Sequence, residues 1–492
     1  MSFTSLSFLG FVLVVAILYF TLFRKCQWFL LLLASIAFYM FSGPKYIVYI
    51  SITAVTTYLF AGKIQKLHDR EKKIIGEHDF SKEKKKSIKK QFTAKRKVWL
   101  LLDLVINLGM LCVIKYMDFA LRGMSAVLAK FGVDWSKSVS FVLPLGISFY
   151  TFMTVGYILD VYWKRYRAEK NILKLALFTS YFPHIVQGPI GRYNKLAEQF
   201  NQRYKFDYDR VKKGLLLMLW GYFEKMVIAD RLAIFANGVY AKWDEVTGLP
   251  LVLAIIFFSM QLYLDWTGCM DIARGVSQIF GIELERNFWH PYFSKNMPEF
   301  WRRWHISLST WFRDYVYIPL GGNRVNKFKW IRNIILVWLL TGLWHGAAWN
   351  FIIWGIYYGL LLLFEKLFFD RILKKLPTII NWLYTFIIVM IGWMIFRSNS
   401  LNELLLFIKT MFVYKQTDWL TILADNLSTF NALMFVLPAF ILSFPILKKI
   451  KEKYSGKTIY IILTNILLLM LFIMCIVYLT SSSYNPFIYF RF

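Results

Sequence analysis

Phe300-Trp301-Arg302-Arg303-Trp304-His305-Ile306-Ser307-Leu308-Ser309 opens the stretch around which this chain reads as organised, and Thr341-Gly342-Leu343-Trp344-His345-Gly346 closes it. Projected onto a helix, 300–317 places Trp301, Trp304, Leu308, Trp311 and Tyr315 on one aromatic-aliphatic stripe at spacings of three and four. Arg302, His305, Ser309 and Arg313 repeat in the same rhythm on a second, polar stripe. A helix at a boundary between water and apolar surroundings carries such a pair of stripes, so the spacing predicts one helix here. His345 falls inside the apolar run from Ile334 to Phe364, where an ionisable side chain is costly and usually functional. Two histidines, one on a polar stripe and one at membrane depth, are the candidate chemistry.

Outward from this stretch, the chain is apolar from end to end. Of 492 residues, 58% are hydrophobic and 19% aromatic, and apolar runs of about 18 to 25 residues recur throughout, each long enough to cross a bilayer. The chain reads as an all-α polytopic membrane protein with about ten to twelve transmembrane helices, plus re-entrant and amphipathic cytoplasmic helices. It reads as a single membrane domain over 1–492, with 300–346 as its active-site core. The formal charge of +30 lies in the segments between apolar runs, as topology requires. Nucleic-acid binding would need a soluble basic domain, which the sequence lacks. The cysteines at 26, 112, 269 and 475 form no Cys-x-x-Cys pair, so neither a metal site nor a disulfide framework is expected.

Three apolar runs, 7–23, 27–41 and 45–62, precede the segment Lys63–Lys97, which holds 14 Lys/Arg against 5 Asp/Glu. The first run lacks a basic leader and a cleavage site, so a retained helix is expected. Three crossings ending in so basic a loop put the N-terminus outside and the 63–97 loop in the cytoplasm, facing lipid headgroups. The run 175–191 contains Pro183, Gly188 and Pro189, which disfavour a full crossing, and is expected to be re-entrant. His184 within it reads either as a lining residue or as a histidine bonded to carbonyls freed by the proline. Glu224, Lys225, Asp230 and Arg231 are expected to pair inside a bundle. Pro319-Leu320-Gly321-Gly322-Asn323-Arg324 reads as a turn. Periodicity does not decide whether 334–369 is one crossing or two segments.

At His345, two readings stand. Gly342 and Gly346 form a small-xxx-small pair that packs helices, the histidine donating one bond across the face. Alternatively, small neighbours admit a substrate to an imidazole that burial keeps neutral and able to accept a proton. At His305, the arginines suit an interfacial helix resting on lipid headgroups. That reading does not account for the tryptophans beside both histidines.

The quoted segments, with Trp311-Phe312-Arg313-Asp314-Tyr315 and the Pro319–Arg324 turn, closely resemble the membrane-bound O-acyltransferase family, on its alginate O-acetyltransferase branch. Weaker matches run through Asn107–Phe119, Pro144–Asp160, Phe182–Tyr193, Gly221–Ala233, Asp265–Gly275 and Pro486–Phe490, covering most of the chain. Asp265-Trp266-Thr267-Gly268-Cys269-Met270-Asp271 departs from the form expected of alginate enzymes and leaves the acceptor open. The resemblance implies a fold built around a central tunnel, with His345 as catalytic histidine and His305 as the second active-site histidine. It implies acyl transfer, foremost acetyl, from a cytoplasmic thioester such as acetyl-CoA to an exported or cell-surface polysaccharide, with no bound cofactor. Arg302, Arg303 and Arg313 then become candidates for the donor's phosphates, and Ser309 and Trp344 for substrate contact. The implied partners are an extracytoplasmic esterase-like (SGNH-type) transfer protein, the polymer acceptor and membrane lipids. The implied location is the inner membrane. D-alanyl transfer towards teichoic acids and a non-catalytic transporter or flippase are the alternatives.

Overall fold

The computed structural model describes residues 1–133, 135, 138–139, 141–413 and 427–481. The Pro486–Phe490 motif lies outside the described residues. Every regular element among the described residues is a helix. Six are long and apolar enough to cross a bilayer: Pro44–Glu77, Lys82–Ala129, Leu249–Ile279, Trp349–Leu373, Thr378–Arg397 and Thr458–Thr480. Leu6–Phe20, Gln27–Ser42 and Met434–Ser443 are shorter apolar helices. This is an all-α, multi-pass membrane protein. The described residues form two compact units. One comprises Met1, Gly10–Val211 and Ser277–Leu284, and the other Ser2–Leu9, Lys212–Val276 and Glu285–Phe492.

In the first unit, the basic segment 63–97 is not a loop. The helix Ile47–Glu77 carries its charges past the apolar part, and Lys82–Ala129 begins only four residues later. Ser81 caps that second helix by accepting from Lys84 N at 3.3 Å. Lysine and glutamate are good helix formers and no proline interrupts them, so the helices continue through the charged residues. Glu71, buried, accepts from Arg96 and, at 3.2 Å, from Lys164. The run 175–191 breaks as its prolines require. Ile172–Ser180 and Phe182–Ile185 are both too short to cross. His184 Nε2 lies 3.2 Å from the Phe178 carbonyl, which realises the carbonyl-bonded reading.

The second unit holds both candidate histidines. The expected internal pairing centres on Lys225, which bonds Asp230 at 2.7 Å and Asp265 of the helix Leu249–Ile279 at 2.6 Å. Glu224, beside it in sequence, does not join that pairing. The run 334–369 resolves into two helices, Lys327–His345 and Trp349–Phe364, broken at Gly346. The two pack against each other through Gly342, where a Cβ would collide with the Phe351 carbonyl. The small-xxx-small pair therefore does pack helices, and His345 ends a helix instead of lying mid-span. The Pro319–Arg324 turn forms as expected. Gly321 and Gly322 adopt φ of 98° and 56°, and Asn333 Nδ2 donates to the carbonyls of Leu320 and Gly322 at 3.2 and 3.1 Å.

Candidate active site

The single helix expected over 300–317 is broken at Trp304 and His305. Met297–Arg303, capped by Asn296, stops before Trp304, and Ile306–Phe312 restarts after His305. His305 takes the left-handed conformation, φ 44°, which a non-glycine residue adopts only when its surroundings hold it there. The hold is visible. Trp289 N donates to Arg303 O at 2.9 Å, and Ile306 N donates to Asn287 O at 2.9 Å. Ser307 N donates to Asn287 Oδ1 at 2.7 Å. Asn287 thus satisfies two of the N-terminal amides that the new helix leaves without intrahelical partners.

The break turns His305 off the polar stripe and into the core. It is 2% exposed, and His345 is 7% exposed. Of the remaining stripe members, Ser309 and Arg313 stay with it and Arg302 parts from it. Arg302 is exposed. Arg303 is held by Glu299 at 2.5 Å and Arg313 by Asp314 at 2.7 Å, so two of the three arginines already have carboxylate partners. Ser309, half-buried, lies with its Oγ 3.5 Å from the Trp304 carbonyl.

What the sequence separates by forty residues, the fold brings together. His305, Ser309, Arg313 and His345 line one cavity of about 170 Å³, walled otherwise by Trp301, Leu308, Phe312, Tyr317, Val337, Trp338 and Thr341. The exposed guanidinium of Arg313 marks its outer side. A second space, about 10 Å³, is enclosed by Leu262, Trp266, Trp304, Trp393 and Phe396 together with the same two histidines. His305 and His345 are the residues common to both linings. The two histidines therefore border a roomier space of about 170 Å³ and a second one of about the volume of one water. Trp344 is buried and meets both imidazoles edge-to-face, with centroids 5.6 Å from His305 and 5.0 Å from His345. Trp354 and Phe396 meet His345 at 4.9 and 5.4 Å, and Trp266 meets His305 at 5.1 Å.

An imidazole among aromatic rings has no water to solvate a cation. Burial pushes His305 down to about 3, so the ring is neutral across physiological pH. Its Nδ1 faces Asn287 Nδ2 at 3.4 Å, while its Nε2 has no hydrogen-bond partner. A neutral ring with one nitrogen engaged and the other buried without a protein partner can give or take a single hydrogen bond there. Aromatic walls exclude water, which strengthens that bond.

Sequence reasoning missed Asn287. It stands in an irregular segment with no periodicity, 18 residues before its histidine, and its neighbours Arg286, Phe288 and Trp289 draw more notice. It missed, too, a larger cavity of about 650 Å³ whose lining includes Glu224, Tyr263, Asp271, Arg286, Asn287 and leucines of the helix Thr458–Ser481.

Comparison with known proteins bears on this site. The profile of the membrane-bound O-acyltransferase (MBOAT) family matches residues 165–402, a range that holds both histidines. The chain is 40% identical to "Probable alginate O-acetylase AlgI" of Azotobacter vinelandii over 65% of its own length and 64% of that protein's. It is 32% identical to "Peptidoglycan O-acetyltransferase" of Helicobacter pylori over 100% of its own length and 96% of that protein's. To "Teichoic acid D-alanyltransferase" of Bacillus subtilis it is 33% identical over 53% of this chain and 70% of the other.

Proposed function

Since the chain belongs to the membrane-bound O-acyltransferase family and is an acyltransferase, we propose that it moves an acetyl group from a cytoplasmic thioester to a hydroxyl of an exported or cell-surface polysaccharide. The observation that carries this reading is the shared wall: His305 and His345 are the side chains common to two otherwise differently lined spaces. A reaction joining a donor from one aqueous phase to an acceptor from the other needs its catalytic groups at such a partition. The relatives named for alginate and peptidoglycan acetylation support an acetyl donor and a polysaccharide acceptor. The teichoic acid relative supports D-alanyl transfer as a second reading.

In the proposed reaction, a protonated hydroxyl is a poor nucleophile, and His345 is the general base. The hydroxyl oxygen forms the new C–O bond to the thioester carbonyl as its proton passes to the His345 imidazole. A positioned base of this kind contributes about 10² to 10⁴ in rate. Charge develops on the carbonyl oxygen, and a hydrogen bond from His305 meets it there. The C–S bond then breaks, and the departing thiolate takes the proton that His345 holds. Arg302, Arg303 and Arg313 are the arginines assigned to the donor's phosphates, and of the three Arg313 lines the cavity beside the histidines. Trp344 fixes the angle between the two rings. Where an extracytoplasmic esterase-like protein takes part, the attacking hydroxyl is its own, and it passes the acetyl group on to the polysaccharide. The protein would sit in the cytoplasmic membrane with its N-terminus outside.

The test is turnover of acetyl-CoA by the purified protein in lipid nanodiscs, followed as free thiol. Acceptor-dependent thiol release is expected. Movement of an intact thioester or polymer without thiol release would instead make the protein a transporter.

A further inference from the structure

The mechanism above needs a proton on one particular nitrogen of His305, and the surrounding hydrogen bonds determine which. Ser307 N is a backbone amide and only donates, so the Asn287 atom it reaches at 2.7 Å must be the carbonyl Oδ1. That fixes the orientation of the amide, whose two ends are otherwise hard to tell apart. The atom facing His305 Nδ1 at 3.4 Å is then the NH₂ group, which only donates. A donor facing Nδ1 requires Nδ1 to be the bare, accepting nitrogen, and the single proton of the neutral ring falls on Nε2. Nε2 is the nitrogen without a partner. From this relay we infer that Asn287 is a positioning residue that selects the Nε2–H tautomer of His305, making it a neutral hydrogen-bond donor to the thioester carbonyl and not a base. The inference deepens the proposed function and rests on it for the identity of the recipient atom. It divides the labour between two chemically identical side chains: His345 accepts a proton, and His305 offers one without releasing it.

Asn287 also caps the helix Ile306–Phe312, so the test must separate capping from tautomer selection. Asn287→Asp does this, because it retains an acceptor for Ser307 N and replaces the facing donor by an acceptor. Nitrogen-15 NMR of protein labelled at histidine reads the tautomer directly, with the His305 signals assigned by their absence in His305→Gln. The wild type is expected to show a bare Nδ1 and a protonated Nε2, and Asn287→Asp a protonated Nδ1. Transfer of labelled acetyl from acetyl-CoA to envelope polymer in membrane vesicles at pH 8.5, where the variant ring holds one proton, should fall about a hundredfold in Asn287→Asp, the cost of losing one donor to a developing oxyanion. A proton on Nδ1 in the wild type overturns the inference, as does wild-type transfer by an Asn287→Asp protein whose Nδ1 is protonated. If the wild-type vesicles transfer nothing, the proposed function fails instead, and the NMR result still decides the tautomer.

Discussion

His305 and His345, forty positions apart in sequence, line the same cavity, and a single indole, Trp344, makes a T-shaped contact with each of their rings. Neither side chain reaches that cavity by simple helical periodicity. One is turned inward by a left-handed residue between two short helices, and the other ends a helix where the chain reverses at Gly346. The arrangement depends on aromatic packing, which sets ring orientation without supplying charge.

One consequence concerns pH. His305 ionises near 3 in the folded protein because its ring is buried, against 6.5 when unfolded. The unfolded chain takes up the proton first, so this group's contribution to stability rises with pH and is lost as pH falls from about 6.5 towards 3. Within pH 5 to 8 the ring does not titrate. His305→Gln should therefore lower the height of the pH–rate profile and leave its acid limb in place. A limb displaced by half a pH unit or more would assign that titration to His305.

Lys225 is 3% exposed at its side chain and faces Asp230 and Asp265. Lys225→Met removes the cation from two buried carboxylates, a change that typically costs about 3–5 kcal/mol. Thermal unfolding in detergent should show a clear drop in Tm, partly restored when Asp265→Leu is added. An unchanged Tm would mean that water or another cation already serves the carboxylates.

Gly342 meets the Phe351 carbonyl and the Cα of Gly355 across the hairpin. Gly342→Ala should force the two helices apart, at about 1–3 kcal/mol for overpacking. Because His345 is one turn further along, activity should fall beyond what the lost stability explains. Equal loss of folded protein and of activity would confine the glycine to packing.

The segment 78–81 joins two helix ends rich in lysine and is proposed to face the cytoplasm. A protease site inserted there should resist protease added outside intact cells and be cut in inverted vesicles. Cutting from outside would reverse the proposed topology.

Much of this architecture is legible in the sequence because bilayer spans need only length and apolarity. The helices Thr378–Arg397 and Thr458–Thr480 announce themselves that way, whereas Leu249–Ile279 runs on past the apolar stretch that ends at Asp265. Prolines 183 and 189 foretell the broken segment, and the glycines of the 319–324 turn foretell theirs. The Lys63–Lys97 segment misleads because charge signals exposure and says nothing against a helix. The 300–317 stripe misleads for a different reason. Its spacing is helical on both sides of His305, and the break is imposed by Asn287, whose bonds no local pattern encodes. Both histidines stand out in the sequence as candidate chemistry, yet Asn287, proposed to orient one of them, does not, since its bonds exist only once the chain has folded.

The proposed reaction requires a base at residue 345. Cells whose only copy of the protein carries His345→Ala should hold the protein in the membrane at normal level while alkali-labile acetate on their envelope polysaccharide falls to background. Acetate at the wild-type level in those cells would contradict it.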